Sequence, residues 1–143
     1  VIKIDQNDYI SDLQLKALQH MKQSSIRLVK DISRGTLQLM EQPNHPYIQL
    51  PSLDIKSGQI YPKNMGCLQS LNIIRSCSRP FPGAFVEYEE KIYRIWRASS
   101  VITDINNDKE CIVLNDKLFI KLKDGYIVSD NFEIKRSQTQ AIV

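Results

Sequence analysis

The sequence predicts a mostly β fold with helices: a small barrel or sandwich of short strands, preceded by a long amphipathic helix and an extended linker. Three observations carry this reading. Apolar side chains recur at spacings of mostly three and four from Ile10 to Ile32. Pro43, Pro46, Pro51 and Pro62 punctuate the stretch that follows, which has no sustained period. From Ala84 onward, short apolar runs are separated by turn residues about every eight to twelve positions.

Size and composition agree with that class. A chain of 143 residues is one ordinary domain, or a small domain with appendages. Hydrophobic residues are 42% and charged residues 24%, both ordinary for a globular protein. With only 5 Gly and 6 Pro, collagen, low-complexity and disordered classes are excluded. No run approaches the ~18 consecutive apolar residues of a membrane span. Val1-Ile2-Lys3-Ile4-Asp5 lacks the apolar core of a signal peptide. A net charge of +3 is too small to demand a nucleic acid partner. Cys67, Cys77 and Cys111 are odd in number and widely spaced, which predicts reduced thiols in a cytoplasmic setting. Zinc would want Cys or His pairs two to five residues apart, so no metal site is predicted.

The elements follow in order. Val1-Ile2-Lys3-Ile4 reads as a strand that begins at once, without a Met. Asp8 and Ser11 are helix-cap residues, and Ser11-x-x-Gln14 has the form of a capping box. Ile10, Leu13, Ala17, Met21, Leu28 and Ile32, widened by Leu15, Leu18 and Val29, define one apolar face of a helix of about 20 to 25 residues. Gly35 then stops it. A strand and a helix cannot bury both faces alone, so this segment reads as cut from something larger. Residues 36–63 are long for a loop within one domain and read as an interdomain linker. Asn64 is placed to cap a short helix carrying Leu68, Leu71 and Ile74, with Arg75 beside them. Phe81-Pro82-Gly83 turns into a hairpin, with Val86 to Tyr88 and Ile92 to Ala98 flanking Glu89-Glu90-Lys91. Further strands are predicted at Cys111–Leu114, Lys117–Leu122, Tyr126–Ser129 and Phe132–Lys135, with Asn106-Asn107-Asp108, Asn115-Asp116, Asp124-Gly125 and Asp130-Asn131 as turns.

Chemistry is scarce. No acid, base and nucleophile converge. His20 falls mid-helix, and His45, between Asn44 and Pro46, lacks a second group to orient it. Glu87, Glu89 and Glu90 surround a hairpin turn, where carboxylates are normally solvated. The glycines are scattered, with no phosphate-binding spacing. Arg75, Arg79, Lys91, Arg94 and Arg97 interleave with Phe81, Phe85, Tyr88, Tyr93 and Trp96, a mixture suited to an anionic strand. Strand alternation divides the last arginines between two faces, and arginine stems covering apolar surface fit equally.

Arg75-Ser76-Cys77-Ser78-Arg79-Pro80-Phe81-Pro82-Gly83-Ala84-Phe85, followed by Tyr93-Arg94-Ile95-Trp96-Arg97-Ala98, resembles the C-terminal domain of the 10-formyltetrahydrofolate-dependent formyltransferases. That family includes methionyl-tRNA formyltransferase and the sugar N-formyltransferases. Residues 8–35 resemble its last catalytic-domain helix, and Gln42 stands where its linker often opens. Lys56-Ser57-Gly58-Gln59-Ile60 is similar to the Asp-Gly-x-Ile before its barrel, with Tyr61 where Asp then Trp is usual. Asp124-Gly125-Tyr126-Ile127 is similar to its late Asp-Gly hairpin.

The resemblance implies an OB-like barrel over residues 64–143, a linker over 37–63, and a remnant of the catalytic domain over 1–36. It implies a structural role for Arg75, Arg79, Pro80, Phe81, Pro82, Gly83 and Trp96. Lys91, Arg94 and Arg97 are the residues for anion or RNA contact. The family's Asn, His and Asp lie in an N-terminal domain that also holds the folate pocket. The chain is therefore expected to begin just after that Asp, with no catalytic residue of its own and no bound cofactor. His45 stands too near the Pro-Phe-Pro-Gly turn to replace the family's His. The implied activity is formyl transfer from 10-formyltetrahydrofolate to an amino group, with the missing catalytic domain as partner and a homodimer left open. The modest charge favours a nucleotide-linked amino sugar as acceptor, because polyanion affinity scales with the phosphates neutralised. The alternatives are a tRNA-binding domain and a stand-alone OB-like binding or oligomerisation module. No membrane partner is expected.

Overall fold

The computed structural model describes residues 1–41, 54–101 and 109–136. These fall into two compact units: residues 1–8 with 12–41, and residues 9–11 with 54–101 and 109–136.

Helix α1 runs Ile10–Ser33, and from Asp12 onward it belongs to the first unit. Ser11 therefore lies inside the first turn rather than capping it. Asp8 acts earlier: its Oδ2 accepts from the Asp5 N–H at 2.7 Å and from Lys16 Nζ at 2.6 Å. The Lys16 ammonium holds the Asp8 carboxyl below its usual range, and Asp5 and Asp8 hold Lys16 above its own. The C-terminus is as the sequence predicts. Gly35 adopts φ +67, its N–H bonds the Ile32 carbonyl, and the Thr36 N–H reaches back to Asp31. That pair of bonds is a Schellman stop. Residues 1–4 are not a strand. Their alternation is strand-like, but a strand exists only when paired with another strand, and among the described residues none pairs with them. No residue of α1 is buried. Leu15, Leu18, Met21, Leu28, Val29 and Ile32 are all exposed.

The second unit is mostly sheet. Strands β1 (Ala84–Tyr88), β2 (Lys91–Val101), β3 (Cys111–Leu114), β4 (Lys117–Leu122) and β5 (Gly125–Arg136) form one antiparallel sheet in the order β1-β2-β5-β4-β3. It curls into half a barrel. Among the described residues there are five strands where six strand segments were expected, because Asp130-Asn131 is not a turn; the turn expected at Asn106-Asn107-Asp108 lies outside those residues. Asp130-Asn131 lies within β5, where the ladder with β2 slips register on both sides of Arg97 and Asn131. A bulge of this kind has turn-like local composition but keeps the strand going. Glu89-Glu90 and Asn115-Asp116 are two-residue turns with φ between 48° and 59° at all four positions, the left-handed pair a type I′ hairpin requires.

Helix α2 (Cys67–Cys77) covers one face of the sheet through Cys67, Ser70, Leu71 and Ile74. Its cap is Gly66, not Asn64, and Leu68 points outward at 63% exposure. The core joins Leu71 and Ile74 to Val86, Tyr93, Ile95, Leu118, Ile120 and Ile127. The connector's last residues also belong here. A short 3-10 helix, Ile55–Gly58, is closed by a capping box between Asp54 and Ser57. Gln59 then bridges to Phe85, and Ile60 is buried in the core. Among the described residues, no helix is long and apolar enough to cross a membrane.

Candidate functional site

The residues singled out in the sequence separate into one tight cluster and three outliers. The cluster is built on the turn between α2 and β1. The Arg79–Pro80 peptide is cis, and Gly83 has φ +91. The Gly83 N–H donates to the Cys77 carbonyl at 2.8 Å, and the Phe81 N–H to that of Ser78. A side chain at Gly83 would place Cβ 3.0 Å from the Ile95 carbonyl oxygen and from Trp96 Nε1, and 3.1 Å from Arg94 Cγ. Only glycine meets both the dihedral and the space. Arg94 donates from Nη1 to the Pro82 carbonyl at 2.6 Å. The Arg79 guanidinium lies over the Trp96 ring, 4.9 Å from its centroid. Ser78 Oγ donates to the Trp96 carbonyl at 2.8 Å. Residues 78–83 and 94–96 are thus locked face to face.

Of the two arginines expected to be structural, Arg79 lies in this turn, over Trp96. The carbonyl contact is made by Arg94. Arg75 donates instead to Asn72 Oδ1 on its own helix, at 3.2 Å. Lys91 sits exposed at the β1–β2 turn. Arg97 is apart from both, its guanidinium 4.8 Å from the centroid of the Tyr9 ring. Phe81 is itself largely exposed.

Arg97 also borders a cleft of about 230 Å³, shared with Tyr9, Ser99, Lys117, Val128 and Asp130. The β2–β5 ladder slips register at Arg97, beside this cleft. Ser129 Oγ donates to the Arg97 carbonyl at 2.6 Å and accepts from the Asn131 N–H at 3.1 Å. The sequence places Lys117 at a strand start and Asp130 in a turn, and gives neither a binding role. The β4–β5 hairpin pairs Leu118 with Ser129, so the neighbouring Lys117 and Asp130 both come to the same cleft.

The thiols offer no nucleophile in this unit's core. Burial pushes Cys111 up to about 12, and burial with the neighbouring Asp124 carboxylate pushes Cys67 up to about 11. Both stay protonated at neutral pH, and the thiol form is unreactive. His20 and Glu87, Glu89 and Glu90 are exposed to solvent. His45 lies outside the described residues. No protein-family model matches the chain, and no curated protein matches it significantly.

Proposed function

We propose that this chain is the non-catalytic C-terminal part of a 10-formyltetrahydrofolate-dependent formyltransferase, with an OB-like barrel that supports formyl transfer to the amino group of a nucleotide-linked amino sugar. The turn cluster carries the reading. The two segments that resemble the family are separate in sequence, yet Arg79 meets Trp96, Arg94 meets Pro82, and Gly83 packs on Trp96. These contacts, made by Arg79, Pro82, Gly83, Arg94 and Trp96, support the reading.

The exposed apolar face of α1 supports a further layer of protein beside it. In this reading that layer is the catalytic domain, which supplies the Asn, His and Asp and holds the folate. The engagement of Arg79 and Arg94 within the turn supports the amino-sugar acceptor over tRNA, since both are spent on the fold. The test is the reading frame upstream of Val1. A frame encoding an Asn-, His- and Asp-bearing domain is expected. A frame opening with Met beside Val1 would overturn the reading and leave a stand-alone binding module.

A further inference from the structure

The cleft at Arg97 plays no part in the turn cluster, and an inference from it stands independently of the formyltransferase reading. We propose that it binds a small hydroxylated phosphate monoester, with Arg97 and Lys117 on the phosphate and Asp130 accepting from a ligand hydroxyl.

Charge argues first. The lining carries two cations and one carboxylate. A dianionic phosphate matches the cations and is repelled by Asp130, unless the same ligand offers Asp130 a donor. A sugar phosphate does both. Preorganisation argues second. The Arg97 guanidinium lies over the Tyr9 ring, and Ser129 fixes the backbone at this position through the Arg97 carbonyl. Stacking uses the flat face of the guanidinium and leaves the in-plane N–H edge for a phosphate fork. Size argues third. At about 230 Å³ the cleft is smaller than the ~300–1,000 Å³ of sites for drug-sized ligands, so it takes a fragment and not a whole nucleotide.

The experiment is an NMR titration of the 143-residue chain, following the Ser99 and Val128 amides. The probes are inorganic phosphate, glucose 6-phosphate and a short single-stranded RNA. Saturable shifts are expected with both phosphates, several-fold tighter for the ester. Lys117→Gln should weaken both by about tenfold or more, as for loss of a charged hydrogen bond. Asp130→Asn should abolish the advantage of the ester without weakening inorganic phosphate. Lys117 is exposed at the start of β4, so that variant should fold even if Arg97→Gln does not. Shifts that never saturate, affinities unmoved by Lys117→Gln, equal binding of the two phosphates, or saturation by RNA alone would each overturn the proposal.

Discussion

The Asp124 carboxylate accepts the backbone N–H of Cys67 at 2.6 Å, so the start of α2 is capped from the β4–β5 turn, 57 residues away in sequence. The cap position itself is Gly66, where a Cβ would come within 2.8 Å of Asp124 Oδ2. A short helix thereby gains an anion at its positive end without a capping side chain of its own.

This cap should make stability depend on pH. The Cys67 N–H, and then its thiol, hold the Asp124 carboxyl below its usual range. A depressed folded pKa contributes stability that is fully present above the unfolded value of about 3.9 and is lost as pH falls through the folded one. Wild type should melt higher than Asp124→Asn at pH 6, and the two curves should converge on acidification below about pH 4. Gly66→Ala should mimic the loss at pH 6. Parallel melting-temperature profiles for wild type and Asp124→Asn across that range would contradict the cap.

Gly83→Val should destabilise the protein by about 1–3 kcal/mol, the usual cost of forcing a side chain into a strained backbone position. Ile95 contributes a backbone atom to the clash, which cannot simply swing aside. Urea denaturation would measure the loss. Arg94→Gln should cost a similar amount, about 1.5–3 kcal/mol for a charged hydrogen bond to a carbonyl.

The opposite sign is expected at the β1–β2 turn. Glu89 and Glu90 occupy φ 48 and φ 59, which a residue other than Gly, Asn or Asp enters at a cost. Glu89→Asn with Glu90→Gly should stabilise by about 1 kcal/mol, read as a higher urea midpoint with an unchanged slope.

Alkylation should distinguish the three thiols. Cys67 and Cys111 are buried and protonated, whereas Cys77 is partly exposed. Iodoacetamide at pH 8 should label Cys77 first in the native protein, with the other two following only on unfolding. Peptide mass mapping would show the order.

Much of the sheet was legible because its turns announce themselves locally. Asn115-Asp116 separates β3 from β4 as expected, the turn after β4 falls one residue earlier than expected, at Lys123-Asp124, and Gly35 stops α1 through its own dihedral. What escaped depends on distant partners. Residues 1–4 alternate like a strand, but alternation cannot supply a neighbouring strand. Asn64 reads as a cap, yet Asp124 takes that role through tertiary packing. Asp130-Asn131 reads as a turn, because a bulge and a turn share composition and differ only in what lies opposite. At the turn cluster, the sequence identified the residues but not the pairing, since Arg94 reaches Pro82 only once the hairpin folds back. Tyr9 meets Arg97 from a distant part of the sequence, which local pattern does not reveal.

Binding to tRNA should be no better than the non-specific level, roughly 10⁻⁴ M or weaker at physiological salt. Fluorescence anisotropy over a salt series checks this, with Lys91→Glu and Arg97→Glu as probes of the exposed cations. Micromolar, salt-sensitive binding weakened by those variants would promote the tRNA reading over the sugar one.

Formyl transfer by the polypeptide of the whole reading frame tests the central claim most directly. The assay supplies 10-formyltetrahydrofolate with a panel of nucleotide-linked amino sugars, and Met-tRNA in parallel. Turnover of an amino sugar is predicted for the whole polypeptide, and none for the 143-residue chain alone. Turnover of Met-tRNA instead would keep the family and reverse the substrate. Absence of transfer to every acceptor by the whole polypeptide, or turnover by the chain alone, would contradict the account.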